Sequence, residues 1–299
     1  MFRLSKHAAI AASCLFLAAP CLAQELTGTL KKIKDTGRIM LGHRESSIPF
    51  SYYDNKQKVV GYSHELALKA VEAIKQELGM PNLFVQLNPI TSQNRIPLIQ
   101  NGTIDLECGS TTNNLERQKQ VAFSTSIFVI STRLMTKKTS GIMDFPDLAG
   151  KNVVTTAGTT SERLLRKMNE TKKMNMNIIS AKDHGESFLT LETGRAVAFM
   201  MDDALLYGEL AKAKRPGDWL VTGKPQSYEA YGCMLRKDDP AFKKIVDNAL
   251  VKVMQSGEAE KIHKKWFLSP IPPKNLNLHF PLSPELARLY KNPNDKPYE

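Results

Sequence analysis

The sequence predicts an α/β fold in two units, and three observations carry that prediction. Short apolar runs alternate with segments of helical spacing along most of the 299 residues, the order that builds βαβ units. Glycine, proline and asparagine punctuate the ends of these segments. After Ile127-Phe128-Val129-Ile130-Ser131-Thr132 the pattern stops and begins again, so a second unit starts there.

The first residues stand apart. Met1–His7 carries Arg3 and Lys6, an apolar run extends from Ala8 to about Ala19, and Cys21-Leu22-Ala23 precedes Gln24-Glu25. Positive charge, a short hydrophobic stretch and small residues at a cleavage point read as a secretory signal peptide over residues 1–23. The stretch is too short for a permanent span. Pro20 before Cys21, and the short run ahead of Cys14, disfavour a lipid anchor. An exported chain beginning near Gln24 is expected.

Gly37–Gly42 reads as the first strand, followed by a polar loop and the aromatic Pro49-Phe50-Ser51-Tyr52-Tyr53, which either walls a cleft or simply packs. Ser63–Leu78 has helical spacing (Leu66, Ala70, Ala73, Ile74, Leu78) and is closed by Gly79 and Pro81. Phe84–Asn88 alternates as a strand, Arg95–Gln100 reads as a short helix, and Ile104–Cys108 as the next strand. The second unit opens with the turn Asp144–Lys151 and the strand Asn152–Thr156. Ala157–Glu162 starts a helix running to about Asn169, with Thr159 and Glu162 at capping-box spacing. Asn177–Ser180 reads as a strand, Glu186–Thr193 as a helix, and Ala196–Met201 as an apolar strand ending at Asp202-Asp203. Ala230–Lys237 follows as a strand, then helices from Pro240 to about Ser256 and over Glu258–Trp266. A Pro- and Asn-rich tail holds one short helix, Pro284–Tyr290.

The net charge is +11, of which Arg3 and Lys6 leave with the leader. The remaining basic residues are scattered singly or as Lys-Lys pairs, without aromatic interleaving or a DNA or RNA motif, so no nucleic-acid partner is expected. Cys14 and Cys21 also leave with the leader. The remaining pair, Cys108 and Cys233, suggests one disulfide in an oxidising compartment; two separately buried thiols are the alternative, which the spacing does not exclude. Neither has a His at metal-ligand or catalytic spacing, and neither metal nor cofactor is expected.

Three arginines sit in small polar runs rather than on charged faces: Arg44 in His43–Ser47, Arg95 in Thr91–Arg95, and Arg117 in Ser110–Arg117. A guanidinium is a planar fork that holds a carboxylate through two parallel hydrogen bonds, with nearby hydroxyls and amides completing the shell. One such arginine suits an exposed loop; three together suit a small ligand with more than one carboxylate. Asn113 and Glu116 have capping-box spacing, which puts Arg117 in a first helical turn.

Four strings go further: Gly42–Asp54, Cys108–Arg117, Ser180–Gly185 and Phe199–Ala204. From about Leu30 to the end, the chain resembles the glutamate/aspartate-binding branch of the family 3 periplasmic solute-binding proteins that serve bacterial ABC amino-acid importers. The resemblance implies a two-lobe periplasmic binding protein fold (type II), its lobes joined by two crossing strands near Phe128–Thr132 and Lys224–Ser227. Lobe one would be residues 24–130 plus 228–299 with the tail, and lobe two residues 131–227. It implies that Arg117, Ser110, Thr112 and Thr160 meet the ligand α-carboxylate and that Asp202, rather than Asp203, meets its ammonium. Arg44, Ser92, Arg95 and His184 would meet the side-chain carboxylate, with a helix-capping role as the alternative for His184. The implied activity is capture of L-glutamate or L-aspartate and delivery to a membrane permease, by a periplasmic monomer that is not an enzyme. The rival is an exported cyclohexadienyl dehydratase on the same scaffold, with His184 or Glu45 as its general acid.

Overall fold

The structure, a computed structural model, describes residues 25–297; the leader expected over residues 1–23 lies outside them. Its first half runs α1 (Gly28–Thr36), β1 (Arg38–His43), a small antiparallel sheet of β2 (Ser46–Ser47), β3 (Ser51–Tyr53) and β4 (Val59–Val60), then α2 (Tyr62–Leu78), β5 (Phe84–Pro89), α3 (Arg95–Gln100), β6 (Leu106–Glu107) and the single turn α4 (Leu115–Gln118). A long strand, β7 (Ala122–Lys137), leads on to β8 (Asn152–Thr156), α5 (Thr160–Thr171), β9 (Asn177–Ala181), α6 (His184–Glu192), β10 (Ala198–Asp202), α7 (Asp203–Lys212) and β11 (Trp219–Thr222). The chain then returns through β12 (Tyr228–Leu235), α8 (Pro240–Gln255), α9 (Glu258–Phe267) and α10 (Pro284–Lys291).

The main sheet has the order β5-β1-β6-β12-β7-β10-β8-β9, with β11 also on β7. Parallel pairs lie on both sides: β1 with β5 and β6, and β8 with β9 and β10. β7 joins the sides. Its early residues pair with β12, from Ala122↔Leu235 to Ser131↔Tyr228, and its later ones with β10, from Thr132↔Asp202 to Thr136↔Ala198. Two α/β lobes therefore share one continuous strand of 16 residues, of which apolar pattern alone picks out the middle. The second crossing differs from expectation, because Lys224–Ser227 forms no strand. Pro225 has no N–H to give a ladder, so pairing with β7 resumes only as Gln226 N and Ser227 O bond Thr132, at 3.0 and 3.1 Å.

Helix positions follow from one-sided hydrophobic spacing. In α2 the residues Leu66, Ala70, Val71 and Ile74 are buried, and Gly79 ends the helix at φ 62°, a left-handed turn that glycine adopts without steric cost. α1 and α7 escape sequence reading: α1 buries only Thr29, Leu30 and Ile33, while α7 begins at the acidic pair that ends β10. Phe50 lies in the core, its ring 4.9 Å from Phe128 and 5.2 Å from Tyr231, and Tyr52 donates to the Pro272 carbonyl at 2.8 Å. Both pack rather than wall a cleft. The second lobe adds its own cluster of Leu134, Phe145, Leu148, Val153 and Leu165. Cys108, just after β6, and Cys233, on β12, form a disulfide, which closes the alternative the spacing left open.

Candidate functional site

All nine residues singled out from the sequence lie at or beyond the carboxyl ends of parallel strands. Arg44 follows β1, Ser92 and Arg95 follow β5, and Ser110, Thr112 and Arg117 follow β6. Thr160 follows β8, His184 follows β9, and Asp202 ends β10. Backbone direction in a parallel sheet puts these ends along one crevice, where ligands of open α/β sheets sit.

The three guanidiniums are buried, with relative exposures of 1% for Arg44, 1% for Arg95 and 4% for Arg117. Arg95 Nη1 donates to the Ser110 carbonyl at 3.1 Å and to Thr111 Oγ1 at 2.6 Å. Thr111 in turn donates to Glu107 Oε2 at 2.8 Å. Arg44 is anchored by its backbone N–H on Ser51 Oγ at 3.0 Å, leaving both of its terminal nitrogens without a partner. Arg95 Nε, Ser92 Oγ and His184 Nε2 are likewise unpartnered. Arg117 spans the lobes, its Nη1 on the Thr112 carbonyl at 2.9 Å and its Nη2 on the Gly158 carbonyl at 3.3 Å. Burial, reinforced by repulsion from Arg95, draws Arg44 down to about 10 and Arg117 down to about 9. Both remain cations at neutral pH. The cap of α4 is Asn114, whose Oδ1 accepts from Arg117 N at 2.9 Å; Asn113 instead turns to Gln118 and the Asp295 carbonyl.

On the second lobe, Gly158 lies at φ +77°, and a Cβ there would stand 2.8 Å from the Gln93 backbone. The lobes thus meet where only a hydrogen fits. Thr159 caps α5 by accepting from Glu162 N at 3.1 Å, while the Glu162 carboxylate reaches Gly158 N rather than closing the box on Thr159. The Thr160 hydroxyl donates to Glu229 Oε2 at 2.7 Å, and Thr112 donates to the same oxygen. His184 opens α6, with Asp183 as the cap, and its Nδ1 lies 2.8 Å from Thr156 Oγ1. Burial, then Arg44 and Arg95, hold the ring well below the usual histidine range. It is a neutral hydrogen-bonding group, not a third cation.

Asp202 collects Ser161 Oγ at 3.1 Å, Thr132 Oγ1 at 3.3 Å and the phenol of Tyr231. Burial, then the neighbouring Glu229, push its carboxyl up to about 8 against those hydrogen bonds. Asp203, the first residue of α7, turns instead to the Ser131 hydroxyl at 2.6 Å. The arrangement is polar and two-ended: cations and unpartnered donors on one side, a carboxyl that a neighbouring cation would ionise on the other.

Sequence reading missed Glu107, Thr111, Glu229 and Tyr231. Glu107 had a signal, an acid inside the apolar run Ile104–Cys108, fully buried in the fold. Glu229 and Tyr231 had none, because their partners lie far along the chain. Among the described residues no group of three or more His, Cys, Asp or Glu is placed to hold a metal ion, and no helix is long and apolar enough to cross a membrane.

Residues 39–269 match the profile of a family described as bacterial extracellular solute-binding proteins, family 3. The chain is 67% identical over 284 residues to an L-glutamate/L-aspartate-binding protein of Pseudomonas aeruginosa, covering 95% of this chain and 94% of that one. It is 67% identical over 268 residues to the glutamate/aspartate import solute-binding protein of Escherichia coli, covering 90% and 89%. Among solved structures, a mutant of ArgBP from T. maritima superimposes with a TM-score of 0.70 at 26% identity, covering 79% of this chain and 98% of that one.

Proposed function

The chain belongs to the bacterial extracellular solute-binding proteins, family 3, and from that premise we propose that it is a receptor, not an enzyme, that traps L-glutamate or L-aspartate between its lobes. The observation that carries this reading is the group of buried, unpartnered donors on Arg44, Ser92, Arg95 and His184. A buried guanidinium without a partner is costly, and a second carboxylate on the ligand relieves that cost. Arg117 and the α5 N-terminus at Thr160 receive the α-carboxylate, beside Ser110 and Thr112. Asp202 takes the ammonium, since a buried cation needs a counter-charge.

Lobe one comprises residues 24–130 and 228–299 and lobe two residues 131–227. The receptor works in the periplasm as a monomer and hands its cargo to the permease of an ABC importer. Closure links capture to recognition, because the ligand contacts both lobes only when they shut. The dehydratase reading loses both of its candidate acids: Glu45 is exposed, and His184, held neutral, lacks the imidazolium proton that a general acid gives up.

Calorimetry with glutamate, aspartate, glutamine and arginine tests the proposal. Tight binding of the first two and little of the others is expected. Glutamine binding of comparable strength overturns the roles given to Arg44 and Arg95.

A further inference from the structure

Glu229 is buried at the start of β12, opposite Ile130 of β7, where the chain passes between lobes. No cation lies within salt-bridge distance of it among the described residues; hydroxyls hold it instead. Its Oε2 accepts from Thr112, in the loop after β6, and from Thr160, the first residue of α5, at 2.7 Å for the latter. Its Oε1 accepts from Ser227 at 3.1 Å. Thr112 and Thr160 belong to different lobes, and their hydroxyls come within 3.5 Å of each other. Thr112 and Glu229 are already neighbours within one lobe, through the bridge of Thr112 to Tyr231, so it is Thr160 that this carboxylate oxygen ties across the seam.

The wider seam has other bonds: Arg117 to the Gly158 carbonyl, Arg163 to Glu116, and Gly185 N to Ser46 Oγ at 3.3 Å. Arg163 and Glu116 are exposed, and such pairs contribute little. Glu229 is buried, and hydrogen bonds to a charged acceptor are roughly twice as strong as neutral ones. It also occupies the threonine hydroxyls, so a ligand carboxylate at Thr160 is left to backbone amides, which a helix opening leaves without intrahelical partners.

We propose that Glu229 is a positioning residue for closure, an interlobe clasp that gathers the hydroxyls of Thr112 and Thr160 and so slows release of the trapped amino acid. This rests on the reading of the site as an acidic amino-acid receptor. A clasp formed after the ligand enters acts on escape, not on entry.

Stopped-flow binding of L-glutamate to Glu229→Gln, Glu229→Ala, Thr160→Val and the Glu229→Ala/Thr160→Val pair tests it. In Glu229→Ala the dissociation rate should rise roughly tenfold or more, the scale of a lost hydrogen bond to a charged group, with association within about twofold. Glu229→Gln should fall between wild type and Glu229→Ala, because an amide oxygen still accepts both hydroxyls. Thr160→Val should accelerate release alone but add little once Glu229 is gone. Unchanged release in Glu229→Ala, or additive effects in the pair, overturns the clasp. Should Glu229→Ala fail to fold, Thr160→Val and Glu229→Gln still decide. Wild-type protein that binds neither glutamate nor aspartate overturns the ligand reading itself and this inference with it.

Discussion

The phenol of Tyr231 donates to Oδ2 of Asp202, two buried side chains on strands from different lobes. Beside Glu229, and out of water, the Asp202 carboxyl rises to about 8. A raised value means that Asp202, shut away between the lobes, binds a proton that an exposed carboxylate would release. Falling pH from about 8 toward 5 should therefore favour ligand-free closure, measurable as a smaller radius of gyration. Asp202→Asn should close at every pH about as readily as the wild type does at pH 5, yet lose amino-acid binding by roughly 100-fold or more, the consequence of an uncompensated buried ammonium. PH-independent scattering from the wild type would remove this account.

Arg44 and Arg117 should behave differently. On the proposed roles, Arg117→Ala takes away the group that meets the α-carboxylate common to all amino acids and should abolish binding. Arg44→Ala should weaken glutamate and aspartate by roughly 100-fold, the scale of losing a buried charge partner, while leaving any residual glutamine binding unchanged. Because both terminal nitrogens of Arg44 lack partners, Arg44→Met should also raise the ligand-free melting temperature. Equal losses for all ligands in both variants would contradict the division of roles.

The bridge between Cys108 and Cys233 closes a separation of 125 residues. It ties the start of the loop bearing Ser110, Thr112 and Arg117 to the strand bearing Glu229 and Tyr231. Cys108→Ala/Cys233→Ala should lose about 2–5 kcal/mol in denaturant unfolding, with a weaker affinity for glutamate measured in parallel. A loss of stability without loss of affinity would confine the bridge to scaffolding.

His263 stacks on Phe267 at 4.6 Å, and burial lowers its pKa from 6.5 to about 4. The folded ring stays neutral while the unfolded one protonates, so its contribution to stability is lost as pH falls below 6.5 toward 4. At pH 5 that loss amounts to about 2 kcal/mol. His263→Phe should accordingly be more stable than wild type at pH 5 and close to it at pH 7.5. A difference of the same size at both values would exclude protonation as the cause.

Much of this architecture was legible because it is local. Strand and helix periods are imposed by backbone geometry over a few residues. The strands carrying Arg44, Ser110 and Asp202 could be placed, and with them the side of the sheet where a site belongs. Resemblance to a family then supplied roles that spacing alone could not. α1, with only three buried residues, and α7, whose periodicity is weak, stay hidden, and the capping-box spacing points to Asn113 where Asn114 serves.

Chain-local chemistry thus established the α/β alternation, the break between units and the arginines set among small polar residues. The folded path decided which distant groups meet: Glu229 with Thr112 and Thr160, Tyr231 with Asp202, Arg95 with Thr111 and Glu107. Cys108 pairs with Cys233 for the same reason. Such contacts depend on strand order and lobe closure, and no pattern within a few residues encodes a partner that lies a dozen or more positions away.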